Sequence, residues 1–390
     1  MNVLVFNPGS ATLKFGVYHI PDSTMAPTAM DLVTVLERGT VEAASSADVV
    51  ERIIRGLLAP RGKNPSARTA IDAVGCRVVH GGPHLVKPTR VDASVLDQLR
   101  DVKDLAPLHV PADIAVLERI LHCVPETPLI AVFDTAFHQT MPDVAHTYAL
   151  PTELCSRYGL RRYGFHGISH RYVSARLVER LGRGPKGTRI ITCHLGSGAS
   201  ICAVRDGRSI DTSMGLTPME GLVMATRSGD VDPGLVLYLL RAGGMTADQV
   251  NTLLNHDSGL LGLSGLSSDF RTLEQAAVEN NASAELALAV FAYRASKYIG
   301  AFAAALEGLD AIAFTGGIGE HSASMRSRIC RPLEFLGLRM DQDRNRAASG
   351  GVAMRISVDG GGVPIWMIPT DEERGIAVSA YEHLAAIVKA

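Results

Sequence analysis

Three stretches of this chain place glycine beside hydroxyl or amide side chains directly after a run of β-type residues. They are Asn7-Pro8-Gly9-Ser10-Ala11-Thr12-Leu13-Lys14, His194-Leu195-Gly196-Ser197-Gly198 and Thr315-Gly316-Gly317-Ile318-Gly319. Glycine lets backbone N–H groups approach an oxyanion with no Cβ in the way. Ser and Thr add hydroxyl donors, and Lys14 adds a point charge. One such loop is most simply an ordinary tight turn. Three of them, each at a strand end, favour a phosphate-binding surface. It is not a standard one, since Gly-x-Gly-x-x-Gly is never completed and both the P-loop and the protein-kinase signatures are absent.

Charged and imidazole side chains lie near these loops in sequence. Asp134 directly follows the apolar run Leu129 to Phe133. A carboxylate there suits the orientation of magnesium, and equally the capping of a helix. Arg77 sits in an otherwise apolar strand, and Arg227 sits among turn residues. Either could grip a carboxylate or phosphate through two parallel hydrogen bonds, although each taken alone reads as a structural ion pair. His166 and His170 have zinc-like spacing, but the Glu of H-E-x-x-H is missing and Gly167 interrupts the pattern. Zinc is therefore rejected, and His166 is expected to donate a hydrogen bond from a loop. His109 is ambiguous between core and site. Asp371-Glu372-Glu373 heads the last helical stretch, where acids suit the helix dipole.

The elements that must position these groups alternate between strand and helix, which predicts an α/β architecture. Val3 to Phe6, Phe15 to Tyr18, Ile71 to Val79, Leu129 to Phe133, Ile190 to Cys193, Ser200 to Val204 and Ala311 to Phe314 read as strands. Asp206-Gly207 is a hairpin turn signal. Helices are expected over Asp92 to Asp104, Pro111 to Cys123, Ser169 to Leu181, Pro233 to Leu240, Thr246 to Leu254, Ala284 to Leu306 and Asp371 to Val388. When each residue is set against the one 187 further on, Gly9 meets Gly196, Ser10 meets Ser197 and Val17 meets Val204. The strand, Gly-Ser loop, strand pattern thus opens both halves, as an internal duplication would. The boundary is expected near Ala145 to Pro151. This gives residues 1–148 with 371–390 as one domain and 149–370 as the other.

Composition excludes several classes. With 46% hydrophobic and 20% charged residues, the chain of 390 is globular rather than disordered. Lys and Arg total 38 against 40 Asp and Glu, so no bulk field gathers nucleic acid or anionic membrane. Neither partner is expected, and an anionic ligand must be held by local groups. The six cysteines are scattered without a C-x-x-C pair, so they read as small buried hydrophobes. The N-terminus has no basic region and no long apolar run, and a cytoplasmic protein is expected.

Taken together, the motifs resemble the acetate kinase family, within the superfamily that also holds sugar kinases, actin and the heat-shock chaperone ATPases. The likeness spans nearly the whole chain. It rests on Asn7 to Lys14, Arg77-Val78-Val79-His80-Gly81-Gly82, Leu105-Ala106-Pro107-Leu108-His109 and Val132-Phe133-Asp134-Thr135-Ala136-Phe137-His138. It continues in Arg162-Tyr163-Gly164-Phe165-His166-Gly167, Asp211-Thr212-Ser213-Met214-Gly215, Thr226-Arg227-Ser228-Gly229-Asp230, Ser268-Asp269-Phe270-Arg271 and Phe314 to Glu320. The resemblance implies two duplicated ribonuclease H-like (actin-like ATPase) domains with an interdomain cleft, and a homodimer. It implies reversible transfer of a phosphoryl group from ATP to acetate, giving acetyl phosphate and ADP.

The resemblance also implies residue roles. Asn7, Asp134 and Glu372 would surround Mg2+, with Mn2+ as an alternative ion. Arg77 and Arg227 would hold the acetate carboxylate and the phosphoryl group in flight. His166 would donate to that group, with His109 near by. Lys14 and the loop of His194, Leu195, Gly196, Ser197 and Gly198 would touch the nucleotide phosphates. Asp269, Phe270 and Arg271, with Gly316, Gly317, Ile318 and Gly319, would hold adenosine. Val79, Leu108, Phe165 and Pro218 match the family's small apolar pocket for the methyl group. Ser197, His321 and Val110 stand where the family usually has Asn, and Pro8 and Ala11 alter the first loop. Those departures bear on nucleotide affinity rather than on the acid site. A relative acting on propionate or butyrate, and a non-catalytic nucleotide switch, are the competing readings. Val79 argues against the first, and retention of Arg77, Arg227 and His166 argues against the second.

Overall fold

The computed structural model describes residues 1–9, 12–21, 32–42, 46–59, 70–107 and 109–389. Ser10, Ala11 and Leu108, which carry expectations made above, lie outside the described residues. By packing, the chain divides into two compact units. One is Met1–Gln139 with Gly167–Tyr172 and Asp371–Ala390; the other is Thr140–His166 with Val173–Thr370.

The first unit is built on a six-stranded sheet. Its strands are β1 (Asn2–Pro8), β2 (Thr12–His19), β3 (Thr34–Glu42), β4 (Ala73–Val78), β5 (Thr89–Arg90) and β6 (Leu129–Phe133), in the order β3-β2-β1-β4-β6-β5. β1, β2 and β3 form an antiparallel meander, β4 and β6 run parallel to β1, and β5 pairs antiparallel to β6. The central strands are buried on both faces, as their near-continuous apolar runs require. The final helix, Glu372–Lys389, packs on β1, β4 and β6. Gly75 lets it approach closely, since a Cβ there would meet Ile376 at 2.9 Å.

The second unit repeats this plan. Its strands are β7 (Arg189–Leu195), β8 (Ala199–Arg205), β9 (Arg208–Thr212), β10 (Ala311–Thr315), β11 (Met354–Arg355) and β12 (Ile365–Met367), in the order β11-β12-β10-β7-β8-β9. Read from β9, the order and every parallel or antiparallel relation match the first sheet strand for strand. β1 and β7 start and end 187 residues apart, the offset at which the two halves align in sequence. The duplication is therefore one of topology as well as of motif. Asp206 and Gly207, both at positive φ, turn the hairpin between β8 and β9.

Helix ends follow local chemistry. Asp92 caps Ala93–Asp101 by accepting from Val95, but that helix stops short of the expected Asp104 and continues as a 3-10 turn over Lys103–Leu105. Thr246 and Gln249 form the expected capping box of Ala247–His256. The stretch after β10, expected as a loop, is instead a short helix, Gly316–His321, entered through Gly316 at φ 76°. β3, β5, β11 and β12 escaped the sequence reading, β3 because its charged, half-exposed residues give no clean alternation, and β9 was signalled only by the hairpin turn before it. All six cysteines are free, and four are buried. Among the described residues no helix is long and apolar enough to cross a membrane.

Candidate functional site

In the first unit, the C-terminal ends of β1, β4 and β6 gather the polar groups, as open α/β sheets commonly do at their strand ends. Asn7 ends β1 and is 5% exposed. Its amide donates to Glu372 at 3.0 Å and to Glu373 at 2.7 Å. Arg77, on β4, donates through Nε and Nη2 to one oxygen of Asp134 at 3.0 and 2.5 Å, and through Nη1 to the Pro8 carbonyl at 2.5 Å. Burial penalises its charge, yet the Asp134 carboxylate more than offsets that and lifts the guanidinium above its ordinary pKa. Three of its five N–H donors are thus engaged, leaving one on each Nη for a ligand. Asp134 itself is buried just beyond β6. Its backbone carbonyl accepts from Gly167 at 2.9 Å, an approach so close that a Cβ at residue 167 would overlap that oxygen.

Lys14 pairs opposite Asn7 in the β1–β2 ladder and is exposed, and its charge acts on Glu373. Burial pushes the Glu373 carboxyl up, with Lys14 and Asn7 opposing that. Val79 is buried just past β4, and His109 precedes the helix Val110–Cys123. Among the described residues no three His, Cys, Asp or Glu side chains are arranged as a metal site. Asn7, Glu372 and Asp134 are nevertheless hard oxygen donors of the kind magnesium takes, and magnesium keeps several waters and phosphate oxygens as its other ligands. Asn7 presents its amide nitrogen to the glutamates, so ligation through its oxygen requires that amide to turn over.

In the second unit, β7 and β8 pair His194 directly with Ser200, putting both on one face. His166 closes on that pair. It holds the left-handed conformation at φ 57° as the cap residue before Gly167–Arg180. Its ring stacks on His194 at 4.4 Å, and its Nδ1 meets the Ser200 hydroxyl at 2.9 Å. His170, by contrast, is buried in the first unit, edge-on to His138. Gly198 lies against His166 and Arg227, since a Cβ on it would stand 3.3 Å from the imidazole and 3.9 Å from the guanidinium. Burial lowers the Arg227 pKa, and among the described residues no carboxylate pairs with it. Its hydrogen bond goes to the Pro218 carbonyl at 3.5 Å. Phe165 is buried in the same unit.

A cavity of about 580 Å³ opens beside this group, a size that suits a nucleoside. Gly196, Ser197, Asp269, Phe270, Arg271, Gly317, Ile318 and His321 line it. A Cβ on Gly317 would meet nothing, so the backbone there faces open space. Leu195, Gly316 and Gly319 are buried behind the wall, and His194, Gly198 and Lys14 do not line the cavity. Asp269 caps the helix Phe270–Val278 and pairs with Arg271 at 3.3 Å. Phe270 packs edge-on to Phe291.

The Acetokinase family matches residues 2–378. The chain belongs to that family. It is 45% identical over 394 residues to the acetate kinase of Phocaeicola vulgatus, covering 97% of this chain and 98% of that protein. Among solved structures, the acetate kinase of Porphyromonas gingivalis matches with a TM-score of 0.86 at 39% identity, over 98% of this chain and 99% of that one. A propionate kinase from Francisella tularensis matches with a TM-score of 0.85 at 36% identity, over the same shares. Membership of the acetokinase family makes the chain a phosphotransferase with two duplicated actin-like domains.

For this acetokinase-family chain, sequence reasoning missed several groups at the site. Glu373 shares Asn7 with Glu372, and the Asp-Glu-Glu triplet was its only signal. Ser200 gave no signal of its own in the sequence, since the β7–β8 register brings it opposite His194. Glu320 holds the Gly316 amide at 3.0 Å and the Thr370 amide at 3.1 Å, fixing the glycine turn. Arg326, fully buried, donates to the carbonyls of Gly319 and Glu320 behind the cavity wall.

Proposed function

We propose that this chain is an acetate kinase, which moves a phosphoryl group reversibly between ATP and acetate by direct in-line transfer. The observation that carries this reading is Arg227. A desolvated guanidinium with no carboxylate partner among the described residues, set beside His166 and Gly198, is a standing site for an anion.

A carboxylate oxygen of acetate attacks the terminal phosphorus, forming the new O–P bond as the bond to the ADP oxygen breaks. The acid is already ionised, so no general base is needed and catalysis rests on alignment and charge neutralisation. Arg77 offers its two remaining N–H groups to the acetate carboxylate. Arg227 and His166 hold the equatorial oxygens of the transferring group. In this reading Val79, Leu108, Phe165 and Pro218 would meet the methyl group, with His109 as a further site residue. The 580 Å³ cavity takes the adenosine, with Gly196 to Gly198 and Lys14 on the phosphates. Asn7 and Glu372 would hold magnesium, with Asp134 orienting it. When bound, it supplies neutralisation of the phosphate oxygens.

The helix Pro233–Arg241 supports a homodimer. None of its residues is buried, and it exposes Leu235, Leu237 and Tyr238 by 44, 49 and 65%. An apolar helix so exposed is a surface for a second copy.

The test is a hydroxamate assay of the purified protein with ATP, magnesium, and acetate, propionate or butyrate. Acetate should be fastest, and one extra methylene should cost roughly 10-fold or more. Chelation should abolish turnover, with magnesium or manganese restoring it. No acyl phosphate from any acid would sink the reading, and faster turnover with propionate would move the assignment to that acid.

A further inference from the structure

The first unit holds a carboxylate that the proposed chemistry does not use. Asp113 lies in the first turn of Val110–Cys123 and is 3% exposed. Its Oδ2 accepts from the Val79 amide at 2.8 Å. Val79 directly follows β4, two residues beyond Arg77, so this hydrogen bond holds the chain just past the strand that carries Arg77, beside the bond from the Asp134 amide to the Val78 carbonyl at 3.0 Å.

The groups facing Asp113 can be named. From β4 come Arg77, whose charge favours its ionised form, and the buried thiol of Cys76, which Asp113 helps to push up. From the end of β6 comes Asp134, whose charge opposes ionisation. On the neighbouring helices Glu51 pairs with Arg119 and Arg55, Asp48 with Arg119, and Arg100 with Asp97 and Glu118; Arg52 and Asp101 complete their charged groups, and Arg77 and Asp134 are the charges that act on Asp113. Burial, the largest influence, pushes the Asp113 carboxyl up to about 7. It therefore changes charge near neutral pH.

We propose that Asp113 is a positioning residue for the acid substrate, holding the Val79 amide in place and, on ionising, weakening the grip of Arg77 on a carboxylate. The proposal rests on the acetate kinase reading above. An anion bound at Arg77 and an ionised Asp113 repel one another, so the acid binds better when Asp113 is protonated. By linkage, the acid shifts the Asp113 equilibrium by the same factor. That factor is on the order of tenfold, one unit of pKa coupling.

The experiment measures KM for acetate and for ATP from pH 5.5 to 8.5 in the wild type, Asp113→Asn and Asp113→Ala. Wild-type activity with acetate is the control for the underlying reading, whose failure would show there and not in the comparison of variants. In the wild type, KM for acetate should rise about tenfold as pH passes through 7, while KM for ATP stays level. Asp113→Asn keeps an acceptor for the Val79 amide but cannot ionise. Its KM for acetate should stay flat at the low-pH value. Asp113→Ala, equally uncharged but without an acceptor for the Val79 amide, should raise KM for acetate above that of Asp113→Asn at every pH. A pH transition in Asp113→Asn equal to that of the wild type would overturn the proposal, even if Asp113→Ala fails to fold. So would an Asp113→Ala variant with wild-type KM for acetate throughout.

Discussion

Replacing Gly198 by Ala adds one methyl group at a position where the structure fixes what it meets. Gly198 is not among the glycines at positive φ, so alanine fits the backbone without strain. Its Cβ would stand 3.3 Å from both Cε1 and Nε2 of His166, a few tenths of an ångström inside an ordinary contact. The imidazole cannot retreat freely, because it stacks on His194 at 4.4 Å and bonds Ser200 at 2.9 Å. It must therefore tilt or slide by roughly 0.3–0.5 Å, within the range that side-chain repacking absorbs. A misplacement of about 1 Å at a catalytic group costs on the order of 10²-fold, so this shift should lower kcat by about 4- to 10-fold. Strain of about 1 kcal/mol would lower Tm by only about 2–4 °C in a domain of this size. The assay is steady-state formation of acyl hydroxamate, with thermal unfolding in parallel. In a His166→Ala background the same methyl group should have no further effect on kcat, since the ring it displaces is gone. A kcat within twofold of wild type in Gly198→Ala would refute the role given to His166. So would an undiminished effect of the methyl group in the His166→Ala background.

The two arginines should separate in stability. Arg77→Met leaves Asp134 buried without its arginine and should cost about 3–5 kcal/mol, whereas Arg227→Met removes a desolvated cation with no carboxylate and should be neutral or stabilising. Each should lower turnover on the order of 10³-fold, and urea unfolding showing equal losses would contradict the difference. Gly215→Ala would drive its Cβ into the Glu220 carboxylate and the Tyr148 hydroxyl, breaking the bonds that Glu220 makes with Tyr148 and Arg162 at 2.6 Å. Because the atoms it meets are side-chain ends that can move aside, it should lose about 1–3 kcal/mol, the worth of the displaced hydrogen bonds, and a Tm unchanged from wild type would show that these bonds re-form elsewhere. Asp113 gives a pH signature. Its folded pKa, about 7, lies above the unfolded value, so between pH about 4 and 7 the native state keeps a proton that the unfolded chain has released. Stability should fall across that window, by at most about 4 kcal/mol, and level off above it. Urea unfolding at pH 5 and pH 8 should show a smaller fall in Asp113→Asn, and equal falls would count against a buried, protonated Asp113.

What could be read from the sequence and what could not divide along a physical line. The duplication was legible because both halves keep a β-run, a Gly-Ser turn and a β-run at a constant offset, and chain spacing is a one-dimensional property. The helix caps Asp92 and Thr246 were legible because capping acts within three residues. Ser200 was not, because its relation to His166 depends on the β7–β8 register and on a cap residue in the left-handed conformation. Asp113 was not, because a carboxylate in a first helical turn looks like any other until its burial is known. Arg77 and Arg227 make the point most sharply. Both read as structural ion pairs when taken singly, and only the fold distinguishes them. β6 brings Asp134 to Arg77, which becomes a paired cation with two donors to spare. Nothing comparable reaches Arg227 among the described residues, so burial lowers its pKa uncompensated. An enzyme handling two anions has reason to keep one arginine held in place and the other undersatisfied. On the proposed reading the held one would orient the acid, and the other would gain most when charge builds on the group in transfer.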